Sequence, residues 1–175
     1  SVTGLGFQPI WVWVIESDQG STATNQRLWG RTADMAANEG WVSNVAAFQT
    51  EGVQSLDADG FTVGDQPDTT NVDYFWVAMD AHGGACEVGT YTGDGAAEQT
   101  VTTGLSGLQA VFVVGNDLGN QEGYTSNTFD ATEGCLLWRQ QAGLTTQVSD
   151  ITGANFTADS GKNANAGTYY YIAWG

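Results

Sequence analysis

The sequence has few cationic residues, few histidines and cysteines, and few prolines. Its 175 residues include four Lys and Arg, one His, two Cys and two Pro. Without a basic patch the chain has nothing to neutralise a phosphate backbone, which argues against direct nucleic-acid binding. Two Cys and a single His are too few for a four-ligand zinc site. We therefore predict no metal and no cofactor.

The sequence also lacks a long apolar run. No stretch reaches the roughly 18 apolar residues that a membrane-spanning helix needs. The start Ser1–Gly4 carries neither the basic nor the apolar region of a signal peptide. We expect a soluble, folded protein without membrane insertion.

No arrangement of residues in the sequence indicates an enzyme. The only histidine, His82, lies in a Gly-bordered connection with no nucleophile motif nearby. Residues 57–60 (Asp-Ala-Asp-Gly) resemble the start of a calcium loop but lack its third ligand and distal Glu. A β-turn explains that segment better, so we predict no catalytic residue.

Acidic residues, in contrast, are abundant. Twenty Asp and Glu give a formal net charge of −16, and they are scattered through turn-like segments such as 17–20 and 92–95. A dispersed acidic coat stays hydrated where salt screens charge over a few Å, and it repels itself at low salt. This pattern favours a protein of a hypersaline medium. The alternative is an ordinary acidic surface protein, with calcium in its Asp-rich loops.

Aromatic residues are the second abundant class, with seven Trp, six Tyr and seven Phe. Short segments rich in aromatic and β-branched residues, bounded by Gly, Asn, Asp, Ser and Thr, predict strands. Only residues 32–38 are compatible with a helix, of about two turns. We predict an all-β protein with strands at 9–16, 40–48, 72–80, 85–92, 109–115, 135–139 and 168–174.

The sequence also contains an internal duplication. Thr-Gly-Leu followed by an apolar run occurs at residues 3–14 and again at 103–114, and a Phe-Thr to Ala segment occurs at 61–78 and again at 156–173. Duplication of this kind predicts two similar units. We place a first β repeat at 1–80 and a second at 81–175, each a jelly-roll-like β-sandwich.

The two copies differ at their start. A Tyr-Thr-Gly-Asp-Gly segment at residues 91–95 precedes the second Thr-Gly-Leu, and the first copy has no counterpart. The first repeat is therefore expected to lack its opening strand. Either upstream residues were removed by processing, or the strand is supplied from elsewhere.

Both copies carry distinctive Gly-rich and aromatic motifs: Gly-Phe-Gln-Pro at 6–9, Asp-Gly-Phe-Thr-Val-Gly at 59–64, the 91–95 opening and the aromatic closing strand at 169–174. Together these motifs resemble a β-rich module of tailed-virus virion proteins. The family usually has basic residues after the Phe-Gln-Pro strand, where this chain has Glu16-Ser17-Asp18. The resemblance implies a capsid-decorating, turret or tail-associated protein. Combined with the acidic surface, it predicts display on the particle of a tailed virus with a halophilic host.

Residues 10–15 are apolar on both faces of the predicted strand, and aromatic side chains are favoured anchors at protein interfaces. This surface predicts a homo-oligomer and contacts with other virion proteins, the capsid protein in particular. The candidate interface or core aromatics are Trp11, Trp13, Tyr74, Trp76, Tyr169, Tyr171 and Trp174.

A tail-associated, lectin-like receptor-recognition protein is the alternative. Sugar sites combine an exposed aromatic ring with nearby Asp and Asn side chains, so a host surface glycan is the partner in this hypothesis. The residues that it assigns to a glycan site are Trp29, Trp41, Asp65, Asp68, Asn116 and Asp117.

The two cysteines, Cys86 and Cys135, fit either one disulfide or two buried small apolar side chains. The sequence leaves both possibilities open.

Overall fold

The computed structural model describes residues 1–17, 27–43, 48–68, 70, 72–115, 123–126, 136–137 and 148–175. The prediction of an all-β protein is confirmed, because the described residues form antiparallel strands and three short 3-10 turns. The strands are β1 (Val2–Thr3), β2 (Trp11–Glu16), β3 (Leu28–Thr32), β4 (Trp41–Val42), β5 (Val53–Asp57), β6 (Gly60–Val63), β7 (Tyr74–Met79), β8 (Cys86–Thr92), β9 (Glu98–Thr102), β10 (Ala110–Gly115), β11 (Gly123–Ser126), β12 (Leu136–Leu137), β13 (Val148–Thr152), β14 (Asn155–Asp159) and β15 (Thr168–Trp174).

The chain divides into two compact units, Ser1–Ala81 and His82–Gly175. The boundary predicted from the repeats lay between residues 80 and 81, one residue earlier in the chain.

In the first unit, a three-stranded sheet of order β1-β6-β5 accompanies a four-stranded sheet of order β4-β3-β2-β7. Alternate residues of β2 point to opposite faces, as the pleat of a strand requires. The face with Val12 and Val14 packs on Val53 and Phe61 of the three-stranded sheet, and Trp29 completes this core. Burial of these apolar side chains between the sheets holds the unit together.

In the second unit, a three-stranded sheet of order β13-β14-β9 accompanies a five-stranded sheet of order β12-β11-β10-β15-β8. Its core contains Val111 and Val113 of β10, Phe156 of β14, and Tyr169 and Tyr171 of β15. Phe156 and Tyr169 have no solvent-accessible surface.

The strand orders of the two units correspond one to one, apart from β8. In the larger sheet β4-β3-β2-β7 corresponds to β12-β11-β10-β15, and in the smaller sheet β1-β6-β5 corresponds to β9-β14-β13. The pairing agrees at the level of residues, since Val12 lies opposite Ala78 and Val111 lies opposite Ala173. β8 is the one described strand of the second unit without a described counterpart in the first.

The predicted helix at 32–38 is wrong. β3 runs to Thr32 and two reverse turns follow, closed by the Met35 N–H to the Thr32 carbonyl (3.2 Å) and by the Glu39 N–H to the Ala36 carbonyl (3.0 Å). The Arg31 guanidinium donates to the carbonyl oxygens of Met35 and Glu39. Because a side chain satisfies these carbonyl groups, the segment has no need of helical hydrogen bonds.

Each predicted strand segment contains a described strand, and in the segments 40–48 and 135–139 the described strands are the two-residue β4 and β12. Among the strands that the sequence analysis missed, Glu98–Thr102 and Val148–Thr152 are mostly polar, whereas β3 (Leu28–Thr32) is fully buried.

Candidate protein-binding edge

The strand β7 ends the four-stranded sheet of the first unit. It pairs with β2 on one side, from Trp11 opposite Met79 to Glu16 opposite Tyr74. Within the described residues no strand pairs with its other side. We refer to that side, formed by residues 74–79, as the β7 edge.

Large apolar side chains are exposed along the β7 edge. Phe75 is 65% exposed, Trp76 43% and Val77 44%. They are consecutive residues of one strand, so they point alternately to the two faces of the sheet. An edge strand of this kind, apolar and without a charged side chain between Tyr74 and Met79, is a template for pairing with another strand.

The alternation of antiparallel hydrogen bonds fixes which backbone groups face outward. The Ser17 N–H donates to the Asp73 carbonyl at 2.9 Å. In antiparallel pairing the hydrogen-bonded residues recur at every second position. The backbone groups of Phe75 and Val77 therefore point toward β2, and those of Tyr74, Trp76 and Ala78 point toward the β7 edge.

Two aromatic contacts hold the β7 edge in place from inside the unit. Trp76 packs edge-on against the buried Phe61 with ring centroids 5.6 Å apart, and Tyr74 packs against the buried Trp29 at 6.0 Å. The Tyr74 hydroxyl also donates to the Gln66 carbonyl at 3.3 Å. Because these contacts fix the inner side chains of β7, a partner strand would meet a preformed edge.

In the second unit, the corresponding edge, that of β15, is covered by another strand. β15 pairs with β8 over seven residues, from Thr168 opposite Thr92 to Trp174 opposite Cys86. The residues of β15 that correspond to the exposed ones of β7 are buried: Tyr170 is 7% exposed, Tyr171 6% and Ile172 1%. A flanking strand therefore accompanies the burial of both faces of this edge.

The Tyr171 ring of β15 lies against a glycine of β8. Tyr171 lies opposite Gly89, and a Cβ atom at Gly89 would overlap the Tyr171 ring. The Tyr171 side chain lies across β8, and its hydroxyl donates a hydrogen bond to Glu87 Oε1 at 2.8 Å. A residue without a side chain thus lets the aromatic ring lie across its neighbour.

The Thr-Gly-Leu turn is fixed differently in the two units. In the second unit Glu87 of β8 accepts the Gly104 N–H at 2.7 Å through Oε2. In the first unit Asp59 of the β5–β6 turn accepts the N–H groups of Gly4 at 3.1 Å and Gly6 at 2.6 Å. The first unit therefore holds its turn with a carboxylate of its own and needs none from a flanking strand.

The Tyr-Thr-Gly-Asp-Gly segment fastens β8 to the loop before β15. Asp94 Oδ1 accepts the Ala96 N–H at 2.8 Å and the Asn163 side-chain N–H at 2.7 Å. These hydrogen bonds, that of the Ala96 N–H first, lower the pKa of Asp94. The Tyr91 hydroxyl donates to the Lys162 carbonyl at 2.8 Å, and its ring stacks on Tyr169 at 5.1 Å. The segment thus has a structural function in the second unit.

One aspartate in the second unit has the opposite shift. Asp159 is buried at the end of β14, and its Oδ1 accepts the Ser149 hydroxyl at 3.3 Å. Burial raises the pKa of Asp159, and the Ser149 hydrogen bond partly opposes that effect.

The structure divides the seven candidate aromatics by exposure. Trp11, Tyr169 and Tyr171 are buried, Trp13, Tyr74 and Trp174 are half-buried, and Trp76 is exposed. Only Trp76 thus offers a large accessible surface. The sequence analysis missed its neighbours Phe75 and Val77, although the expected lack of an opening strand in the first copy was a signal for them.

The glycan-binding candidates do not form an exposed aromatic platform. Trp29 is 1% exposed and Trp41 is 4% exposed, so the proposal that these rings contact a sugar is not supported by their positions. Trp29 instead donates to the Gln66 side chain at 3.3 Å. Asp65 and Asp68 are exposed, whereas Asn116 and Asp117 lie outside the described residues.

The disulfide hypothesis stays a prediction. Cys86 is buried at the start of β8, and Cys135 lies outside the described residues. Across the described ranges, no group of three or more His, Cys, Asp and Glu is placed to hold a metal ion. In the same ranges no helix has the length and apolar character needed to cross a membrane.

This chain was compared with protein-family models, curated proteins and solved structures. No family model, no curated protein and no solved structure matches this chain.

Proposed function

We propose that this protein is a structural protein of the virion of a tailed virus, displayed on the particle as a capsid-decorating or turret protein and acting through protein–protein interfaces. The observation that carries the proposal is the β7 edge, where the consecutive residues Phe75, Trp76 and Val77 are exposed on the two faces of the strand. Exposed apolar surface of this kind is typical of interaction sites. The particle location comes from the motif resemblance.

The acidic composition supports a halophilic host. A net charge of −16 spread over 175 residues favours solubility where salt is concentrated, since screening reduces the repulsion between carboxylates. The proposed location is therefore the particle surface in a hypersaline medium.

The matching strand orders of the two units support an internal tandem repeat, in which each unit is a jelly-roll-like β-sandwich. The proposed partners are other virion proteins, among them the capsid protein, together with further copies in a homo-oligomer. A repeat of this kind presents two related but unequal surfaces to these partners.

The alternative is a tail-associated lectin-like protein. Its two candidate sugar-binding aromatic residues, Trp29 and Trp41, are buried and so give it no support. Titration of the free protein with host-surface sugars tests it. Binding that Asp65→Ala and Asp68→Ala abolish would restore the alternative, and no binding at millimolar sugar would remove it.

The proposed function is tested by locating the protein on purified particles, with cryo-electron microscopy or immunogold labelling at the salt concentration of growth. We expect the protein on the head or at its vertices. Label at the tail tip alone would favour receptor recognition, and a protein found on no particle would overturn the viral proposal.

A further inference from the structure

We propose that the β7 edge binds an extended segment of another protein of the particle, which adds to the four-stranded sheet as a fifth, antiparallel strand. This inference names the kind of partner for the surface proposed above, and it rests on that proposal only for the source of the segment. Strand addition itself follows from the side chains, backbone directions and charges at the edge.

The pattern of exposure indicates a missing strand. Trp76 points to the inner face, where it contacts Phe61, and the neighbouring Phe75 and Val77 point to the outer face. A layer placed on the outer face would cover only Phe75 and Val77. A flanking strand contributes side chains to both faces, so it would cover all three residues at once.

The second unit supplies the register of the added strand. There Tyr169, Tyr171 and Ala173 lie opposite Tyr91, Gly89 and Glu87 of β8. The corresponding residues of β7 are Tyr74, Trp76 and Ala78, whose backbone groups point to the β7 edge. A strand in the position of β8 would therefore exchange main-chain hydrogen bonds with these alternate residues.

The same template gives the chemistry of the segment. Its residue opposite Trp76 corresponds to Gly89 and must be glycine or very small, so that the indole can lie across it as Tyr171 does. Its residue opposite Val77 corresponds to Val88, which predicts a β-branched side chain there. A carboxylate like that of Glu87 is not required, since Asp59 already holds the turn of the first unit.

Shape and charge both favour a different protein over a second copy. Strand β7 contains no glycine that could lie opposite Trp76 of a second copy, and salt does not weaken this argument. Asp73 precedes β7 and Asp80 follows it. Pairing of β7 with β7 of a second copy would bring four such carboxylates to one seam between chains of net charge −16. A neutral segment with Lys or Arg at each end would instead meet Asp73 and Asp80 with opposite charge.

The test uses a synthetic peptide that reproduces β8. Its sequence is residues 85–93 of this chain with Cys86→Ser and Glu87→Thr, and with one Lys added at each end. Binding to the whole protein is followed by titration calorimetry and by amide hydrogen exchange in NMR spectra. We expect saturable one-to-one binding, which becomes weaker as salt screens the terminal charges.

Two modified peptides test the register without any change in the protein. N-methylation at Gly89 removes a donor that points to β7, and we expect binding at least about tenfold weaker, from the lost hydrogen bond and the steric clash. N-methylation at Val88 removes a donor that points away from β7, so this matched control should bind like the parent peptide. Gly89→Val should also weaken binding about tenfold or more, because the Trp76 ring would be displaced.

The exchange pattern decides the proposal. We expect the peptide to slow exchange at the amides of Trp76 and Ala78, and to leave Phe75 and Val77 unchanged, because β2 already protects them. No binding at millimolar peptide, or binding without this alternate protection, would overturn strand addition. A dimer of the free protein with the same amides already protected would assign the β7 edge to a second copy instead. Particle location is measured separately, so peptide binding by a protein absent from particles would reject only the viral proposal.

Discussion

The strands β7 and β15 occupy the same place in their units and differ in what covers them. Each pairs with a central apolar strand on one side, β2 or β10. β15 also pairs with β8, and its residues 169–173 are buried, whereas Phe75, Trp76 and Val77 of β7 are exposed. Both segments are aromatic and apolar. The two strands therefore have similar compositions but different burial, and the difference in burial coincides with the presence of the flanking strand β8.

The largest expected effect comes from truncating the covered strand. Ile172 is 1% exposed and Val77 is 44% exposed at the corresponding position. Ile172→Ala should lower the free energy of unfolding by about 2–5 kcal/mol through lost burial and a cavity. Val77→Ala, the matched variant, should cost less than about 1 kcal/mol. Chemical denaturation measures both, and equal losses would contradict the comparison.

The second prediction concerns a substitution that should weaken the pairing of β8 with β15 and so expose the edge of β15. Gly89→Val places a side chain where the Tyr171 ring lies, so we expect a loss of about 1–3 kcal/mol from overpacking. The loss should be accompanied by faster amide exchange at Tyr169, Tyr171 and Ala173. Gly107→Val is the control, because a Cβ at Gly107 meets no atom within 4 Å. Unchanged exchange in β15 would show that β8 is not what protects it.

The third prediction compares the carboxylates that hold the two Thr-Gly-Leu turns. Asp59→Ala removes the acceptor of the Gly4 and Gly6 N–H groups, and Glu87→Ala removes that of Gly104 and Tyr171. Each change should cost about 1–3 kcal/mol in thermal or chemical denaturation. In the free protein only Glu87→Ala should also speed amide exchange in β15. If Asp59→Ala alone disturbed β15, the assignment of the two carboxylates to separate units would be wrong.

The smallest expected effect is a pair of opposite pH dependences. The pKa of Asp94 is lower in the folded protein than in the unfolded chain. The Asp94 carboxylate therefore stabilises the fold above the ordinary aspartate pKa of about 3.9, and this stabilisation is lost as the pH falls below that value. Burial raises the pKa of Asp159, so its carboxylate opposes folding increasingly as the pH rises through the ordinary and then the raised value. Asp94→Asn should flatten the acid-side loss of stability, whereas Asp159→Asn should increase stability at neutral pH relative to the parent. Denaturation across pH 2–7 measures both slopes, and slopes of the same sign would contradict the assigned causes.

Sequence reasoning succeeded where the local pattern decides the structure. Continuous apolar runs such as 110–114 are strands because burial of both faces leaves few other solutions. It failed at 32–38, where the Arg31 side chain, rather than helix propensity, satisfies the carbonyl groups of the turns. It also missed the strand Glu98–Thr102. The residues of this segment are mostly polar and give no strand pattern, and the segment is a strand because it pairs with β14.

The candidate site was predictable only in part. The expected lack of an opening strand in the first copy pointed toward its missing neighbour, but it did not single out Phe75 and Val77. Trp29 and Trp41 lie in a divergent segment that suggested a binding loop, yet both rings are buried. Whether an aromatic ring faces a core or solvent depends on strands distant in sequence, so composition alone does not decide it.

The most direct measurement is a cryo-electron microscopy map of purified particles at the salt concentration of growth, at a resolution that shows side chains. We predict a strand of another virion protein antiparallel to β7, with a glycine or other very small residue opposite Trp76. A particle on which Phe75, Trp76 and Val77 face solvent would contradict strand addition at the β7 edge.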